Sequence, residues 1–273
     1  MTVGSAYPAG AARPVGDSTA GRDRSRGDRT APRLVDRFEL HVIEEPEALA
    51  VAEGAETVVR AELWLAAGLA AGEIRSAVGS GKRVVVVHLP DSAAWLVMFL
   101  AVLRAGHIPA RLPVAATAQD WLHVFERVEP AMVISAAQSS EDMPAPAVLE
   151  AASRTPGVSV ALAEGTAVHI HHRAEGSPKS VSVPEDVLLV AFTLSETGPP
   201  EALVHSEESV AAQNRYLTER YAPSRHAPVL VPCPHEDGKT IVDAACLSMY
   251  AGAPIVIRDA SGMGALKQAD HEM

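Results

Sequence analysis

With 273 residues, 48% of them hydrophobic and 4% aromatic, the chain can bury a sizeable core built mostly from Ala, Val and Leu, in one large domain or two small ones. A net charge of −11 disfavours nucleic acid as a partner, because phosphate backbones select basic surfaces. The best apolar run, 93–102, falls short of the ~20 residues of a bilayer crossing, and residues 1–37 hold no signal-peptide core. Cys233 and Cys246 make neither a disulfide framework nor a metal-ligand pattern, so a cytoplasmic protein without a membrane span is expected.

Residues 1–36 are rich in Gly, Ala, Pro, Arg and Asp without a helical or strand period, and read as a disordered, solvated tail. Residues 57–78 carry Val58, Leu63, Leu65, Leu69 and Ile74 at helical spacing. The β-branched run from Arg83 to Leu89 predicts a strand. Asp91 or Ser92 can cap a helix to Arg104, with Gly106 in the position of a C-terminal glycine. His107–Leu112 is the next strand, Thr117 and Asp120 form a capping arrangement for a helix to about Val128, and Ala131–Ser135 is a further strand. This alternation predicts right-handed crossovers and a mostly parallel sheet with flanking helices. Residues 136–182 are less regular, with a helix near 145–152 and strands near Val158 and Val168. From Val187 the pattern resumes: a strand to Ala191, a returning run from Ala202 to Val204, a helix over 207–221, a strand over 228–231, a helix over 240–250 and a strand over 254–257.

The stretch from Phe192 to Ala202 is the most informative in the chain. A strand, a Thr/Ser/Gly-Pro loop and a returning strand suit the wrapping of an anionic group with backbone N–H and hydroxyl donors. Thr193, Ser195, Thr197 and Gly198 are the candidate phosphate-binding residues. Glu196 and Glu201 stand where such a loop wants small or basic residues.

Three segments in order resemble the adenylate-forming (AMP-binding) superfamily, acyl- and aryl-acid CoA ligases in particular. They are Leu89-Pro90-Asp91-Ser92 through Leu103-Arg104-Ala105-Gly106 to Leu112-Pro113, the 193–202 loop, and Pro232-Cys233-Pro234-His235-Glu236-Asp237-Gly238 followed by Ala251-Gly252-Ala253. The resemblance implies an α/β fold corresponding to a truncated large domain over residues 37–273. It also implies ATP and Mg²⁺ at the loop, a carboxylic acid substrate in a pocket shaped by His235 and Gly238, and transfer of the acyl group to CoA. The loop departs from the family pattern with Leu194 for Ser, Ser195 for Gly, Glu196 for Thr, Glu201 for Lys and Ala202 for Gly. The family's adenine loop, ribose-binding Asp motif and catalytic Lys have no counterpart, so no catalytic residue is assigned. The expectation is a degenerate, ligase-like protein with little independent catalysis, whose apolar faces call for a protein partner. The alternatives are the active half of a split ligase completed by a second chain, or a non-catalytic acyl- or nucleotide-binding protein.

The remaining candidates carry less. His235 either shapes an acyl pocket or satisfies a strand-end carbonyl, and His205 reads as a hydrogen-bonded structural histidine. His169 and His171 would share one face of a strand beside His172, but no Cys or carboxylate follows at metal-ligand spacing, so no metal site is assigned. Gly79-Ser80-Gly81-Lys82 precedes a strand instead of following one, and is a turn.

Overall fold

The computed structural model describes residues 32–136, 148, 151–152, 155–173, 184–194, 198–233 and 239–259. Its centre is β3 (Val84–His88), four valines and a histidine with every side chain buried. Such a run suits a strand covered on both faces. Helix α3 (Ala93–Arg104) returns the chain to β4 (Ile108–Arg111) on one side of β3, and α4 (Ala118–Val128) returns it to β5 (Met132–Ala136) on the other. Ser92 starts α3, its Oγ accepting from Trp95 N, and Gly106 ends that turn at φ +83°. Thr117 and Asp120 form a reciprocal capping box on α4.

The outer strands are β6 (Ser159–Glu164), β7 (Ala167–His172), β8 (Val187–Thr193) and β9 (Glu201–Ser206). The seven-stranded sheet runs β7-β6-β5-β3-β4-β8-β9, parallel over its inner five strands and antiparallel at both edge hairpins. Alternation along β3 feeds two cores: Val85 and Val87 join Trp95, Phe99 and the α3 side, while Val84 and Val86 join Trp121, Phe125 and the α4 side. Two further helices, α5 (Glu207–Tyr221) and α6 (Lys239–Ala251), contribute to the first of these cores.

Four differences from the sequence reading have physical causes. A helix, α1 (Leu34–Glu44), begins inside the range read as tail, because Leu34 and Phe38 lie one turn apart and are buried against the domain. A strand, β1 (Leu49–Glu53), follows it without having been anticipated. Residues 57–59, expected as the start of a helix, fall in strand β2 (Glu56–Val59): its Thr-Val-Val run pairs antiparallel with β1, and α2 (Arg60–Val78) starts only afterwards. The fourth difference is that the strands fall into two sheets. The second runs β10-β11-β1-β2, with β10 (Val229–Cys233) and β11 (Ile255–Asp259) parallel to each other and β11 parallel to β1. Buried Arg60 locks this corner, donating to His41 O, Glu45 Oε2 and Gly252 O. Gly79 and Gly81 take φ +83° and +89° in a turn that follows α2 and leads into β3, the reverse of the strand-to-helix order a phosphate loop needs.

Candidate functional site

Parallel sheets bind ligands outside the carboxyl ends of their strands, where the chain order reverses. In this molecule that reversal lies at β3, whose neighbours β4 and β5 follow it in sequence on opposite sides. Among the described residues, buried polar side chains stand at that point. His88 ends β3, fully buried, with Ser135 of β5 beside it in register and the Trp121 ring edge-on at 4.9 Å. Burial, and secondarily the charge of Arg111, pushes the His88 pKa down to about 4, against a smaller opposing contribution from the Val114 backbone. Arg111, at the end of β4, donates from Nη2 to Asp91 Oδ1 at 2.6 Å, with both side chains almost wholly buried. Its guanidinium also donates to Leu89 O and lies 5.3 Å from the Trp95 ring centre.

The second place is the β8–β9 hairpin. β8 is apolar and buried up to Phe192 and ends on half-buried Thr193; the chain returns at exposed Glu201. Thr193 and Glu201 are register partners, so the carboxylate of Glu201 belongs to the mouth of the 194–200 loop. Gly198 is exposed on that loop, whereas Ser195, Glu196 and Thr197 lie outside the described residues. His235 and Gly238 lie outside them too, directly before α6.

Behind the hairpin, β8, β9, α5 and α6 enclose polar groups of which the sequence singled out only His205. His205 of β9 faces Asp243 and Lys239 of α6; burial lowers its pKa, partly offset by the Asp243 carboxylate. Asp243 accepts from Lys239 Nζ at 2.5 Å and from Gln213 Nε2 at 3.3 Å, joining α6 to α5. Asn214 is 2% exposed on the apolar stripe of α5 between Val210 and Leu217. A polar residue on such a stripe is the one signal that would have singled it out in the sequence. The Ser206 hydroxyl caps α5 by accepting from Ser209 N, and Glu207 accepts the Leu34 N–H at 2.5 Å, so α1 is tied to the same hairpin.

His169 and His171 share an exposed face of β7, and among the described residues no group of three or more metal-ligating side chains forms. No helix of the described residues is long and apolar enough to cross a membrane.

The model of the family described as AMP-binding enzyme matches residues 38–267. The chain is 30% identical over 173 residues to Nonribosomal peptide synthetase 8 of Aspergillus fumigatus, covering 63% of this chain and 2% of that protein. It is 29% identical over 233 residues to Protein Y of Streptomyces griseus, covering 81% of this chain and 74% of that one. O-succinylbenzoate coenzyme A synthetase from Bacillus subtilis, solved with ATP and magnesium, superposes with a TM-score of 0.66 at 14% identity over 86% of this chain. MatB from Rhodopseudomonas palustris superposes with a TM-score of 0.63 at 18% identity, again over 86%. The fold is shared, and the chain spans 47% of each of those two structures, in their N-terminal part. The chain belongs to the AMP-binding enzyme family.

Proposed function

We propose that this protein is a degenerate relative of the ATP-dependent acyl-acid-activating ligases, with little catalysis of its own. The observation that carries this reading is Glu201, exposed at the loop mouth in register with Thr193. A loop that holds a polyphosphate supplies donors, and a carboxylate supplies only acceptors. A carboxylate about 5 Å from a phosphate oxygen costs roughly 3 kcal/mol at an effective dielectric near 20. Glu196, two residues before Gly198, adds a second carboxylate to the same loop in the sequence. Thr193 and Gly198 fit an anion, but Glu201 beside them opposes the phosphate oxygens of a nucleotide, and no adenylation step is routed through this set. Neither CoA nor a particular carboxylic acid is assigned.

Calorimetry with ATP·Mg²⁺ on the wild type and on Glu196→Thr/Glu201→Lys tests the reading. The wild type is expected to give no heat and the double variant to bind. Micromolar affinity in the wild type would sink it.

A second reading has one observation in its favour, an exposed apolar pair on α2. On that reading a second chain completes a split ligase. The exposed Leu65 and Leu69 of α2, at 65% and 70% exposure, offer an apolar surface for a protein partner. Pyrophosphate release that appears only when a second chain is added would favour it over the first.

A further inference from the structure

Asn214 presents a problem that the fold does not solve by itself. The residue is 2% exposed, and among the described residues its amide nitrogen Nδ2 has no hydrogen-bond partner. A buried donor left in that state loses its bond to water without replacement. The amide lines a small cavity shared with His205, Gln213 and Asp243 on its polar side and with Leu189 and Val242 on its apolar side. The volume that the centre of a water-sized sphere can sweep there is about 10 Å³, which is room for one water.

We propose that this cavity is a binding site for a single water molecule, which accepts from Asn214 Nδ2 and donates to the His205 imidazole and the Asp243 carboxylate. Cavities that stay dry are lined by apolar groups, and this one is not. A buried water makes about three hydrogen bonds, and three partners of the correct sense are present. Asp243 Oδ1 and Oδ2 already accept from Gln213 and Lys239, but each carboxylate oxygen has a further lone pair to offer. Burial lowers the His205 pKa and so favours the neutral imidazole, which carries one acceptor nitrogen. The space is too small for an organic ligand, and the Lys239 ammonium on Asp243 opposes a bare cation. The water joins β9, α5 and α6 at one point. It thereby fixes the hairpin that carries the 194–200 loop relative to the helix that opens just after His235 and Gly238. This does not rest on the functional reading above.

Two measurements test it. A crystal structure of the wild type at a resolution that shows ordered water is expected to place one within about 2.7–3.2 Å of Asn214 Nδ2. Asn214→Leu, close in size, is expected to lower the melting temperature by about 2–4 °C, because the water then loses its donor. The opposite sign has a clear meaning: removing an orphan donor from a dry cavity raises stability. A dry cavity in the wild-type density, or a higher melting temperature for Asn214→Leu, overturns the proposal. Should Asn214→Leu fail to fold, water-to-amide cross-relaxation at the Asn214 side chain in wild-type protein decides, its presence supporting and its absence refuting the site.

Discussion

The crevice at the ends of β3, β4 and β5 and the one behind the β8–β9 hairpin belong to the same seven-stranded sheet, yet they are filled in opposite ways. In the first, His88, Asp91 and Arg111 are all buried, and Trp95 and Trp121 from the two crossover helices close over them. In the second, Lys239 and Asp243 keep 28% and 17% of their side-chain surface, and a space is left between the helices. Side chains occupy the position where a parallel sheet of this kind ordinarily takes a ligand.

The sharpest way to break this contrast is to cut an ion pair on each side. Asp91→Ala leaves the Arg111 guanidinium charged in a sealed site, and a loss of about 3–5 kcal/mol in urea unfolding is expected. Asp243→Ala cuts a pair that water still reaches, and even with the Gln213 hydrogen bond lost as well a smaller loss, about 1–2 kcal/mol, is expected. Equal losses would mean that the two crevices do not differ in solvation as their burial implies.

A pH series probes the sealed side without a truncation. His88 has its folded-state pKa lowered to about 4 from an ordinary 6.5, so between these values the unfolded chain binds the proton and the folded one does not. Stability consequently rises with pH across that window and is lost as the pH falls from 6.5 towards 4. The shift is worth about 3 kcal/mol in all. His107 and His205 are shifted in the same direction by burial and add to the slope. His88→Phe, which keeps a ring against Trp121, is expected to flatten the pH dependence measured by chemical unfolding. An unchanged slope would show that His88 is not the group responsible.

The sequence announced the elements whose partners lie near in the chain. The valine run of β3, the Ser92 and Gly106 ends of α3, the Thr117 box of α4 and the return of β8 into β9 all follow from local chemistry. What stayed hidden depends on distant contacts. β1 pairs with β11 through Val51 and Ile255, so no local pattern separates the second sheet from the first. The pairing of Arg111 with Asp91 spans a whole crossover, and Asp91 looks like a helix cap until Ser92 is seen to hold that position. At the candidate site, Thr193, Gly198 and Glu201 could be picked out because they sit in a recognisable loop. Gln213, Asn214 and Asp243 could not, since they meet only when two helices pack behind it.

The smallest effects separate the two crevices most finely. Thr117 caps α4, which carries Trp121 over His88, and Ser206 caps α5 on the open side. Replacing either by Ala removes one hydrogen bond to an otherwise orphan N–H and is expected to cost about 1 kcal/mol. The totals should match, but their distribution should not. Trp121 is fully buried and locked between His88 and Phe125, so fraying of α4 must open the sealed core or be resisted by it. Hydrogen exchange in Thr117→Ala is therefore expected to quicken together across α4 and the end of β3. In Ser206→Ala it should quicken mainly in the first turn of α5, where Glu207 and Glu208 still favour the helix start. Uniform acceleration in both variants would mean that the two halves open as one cooperative unit, and the difference in filling would then have no counterpart in local stability.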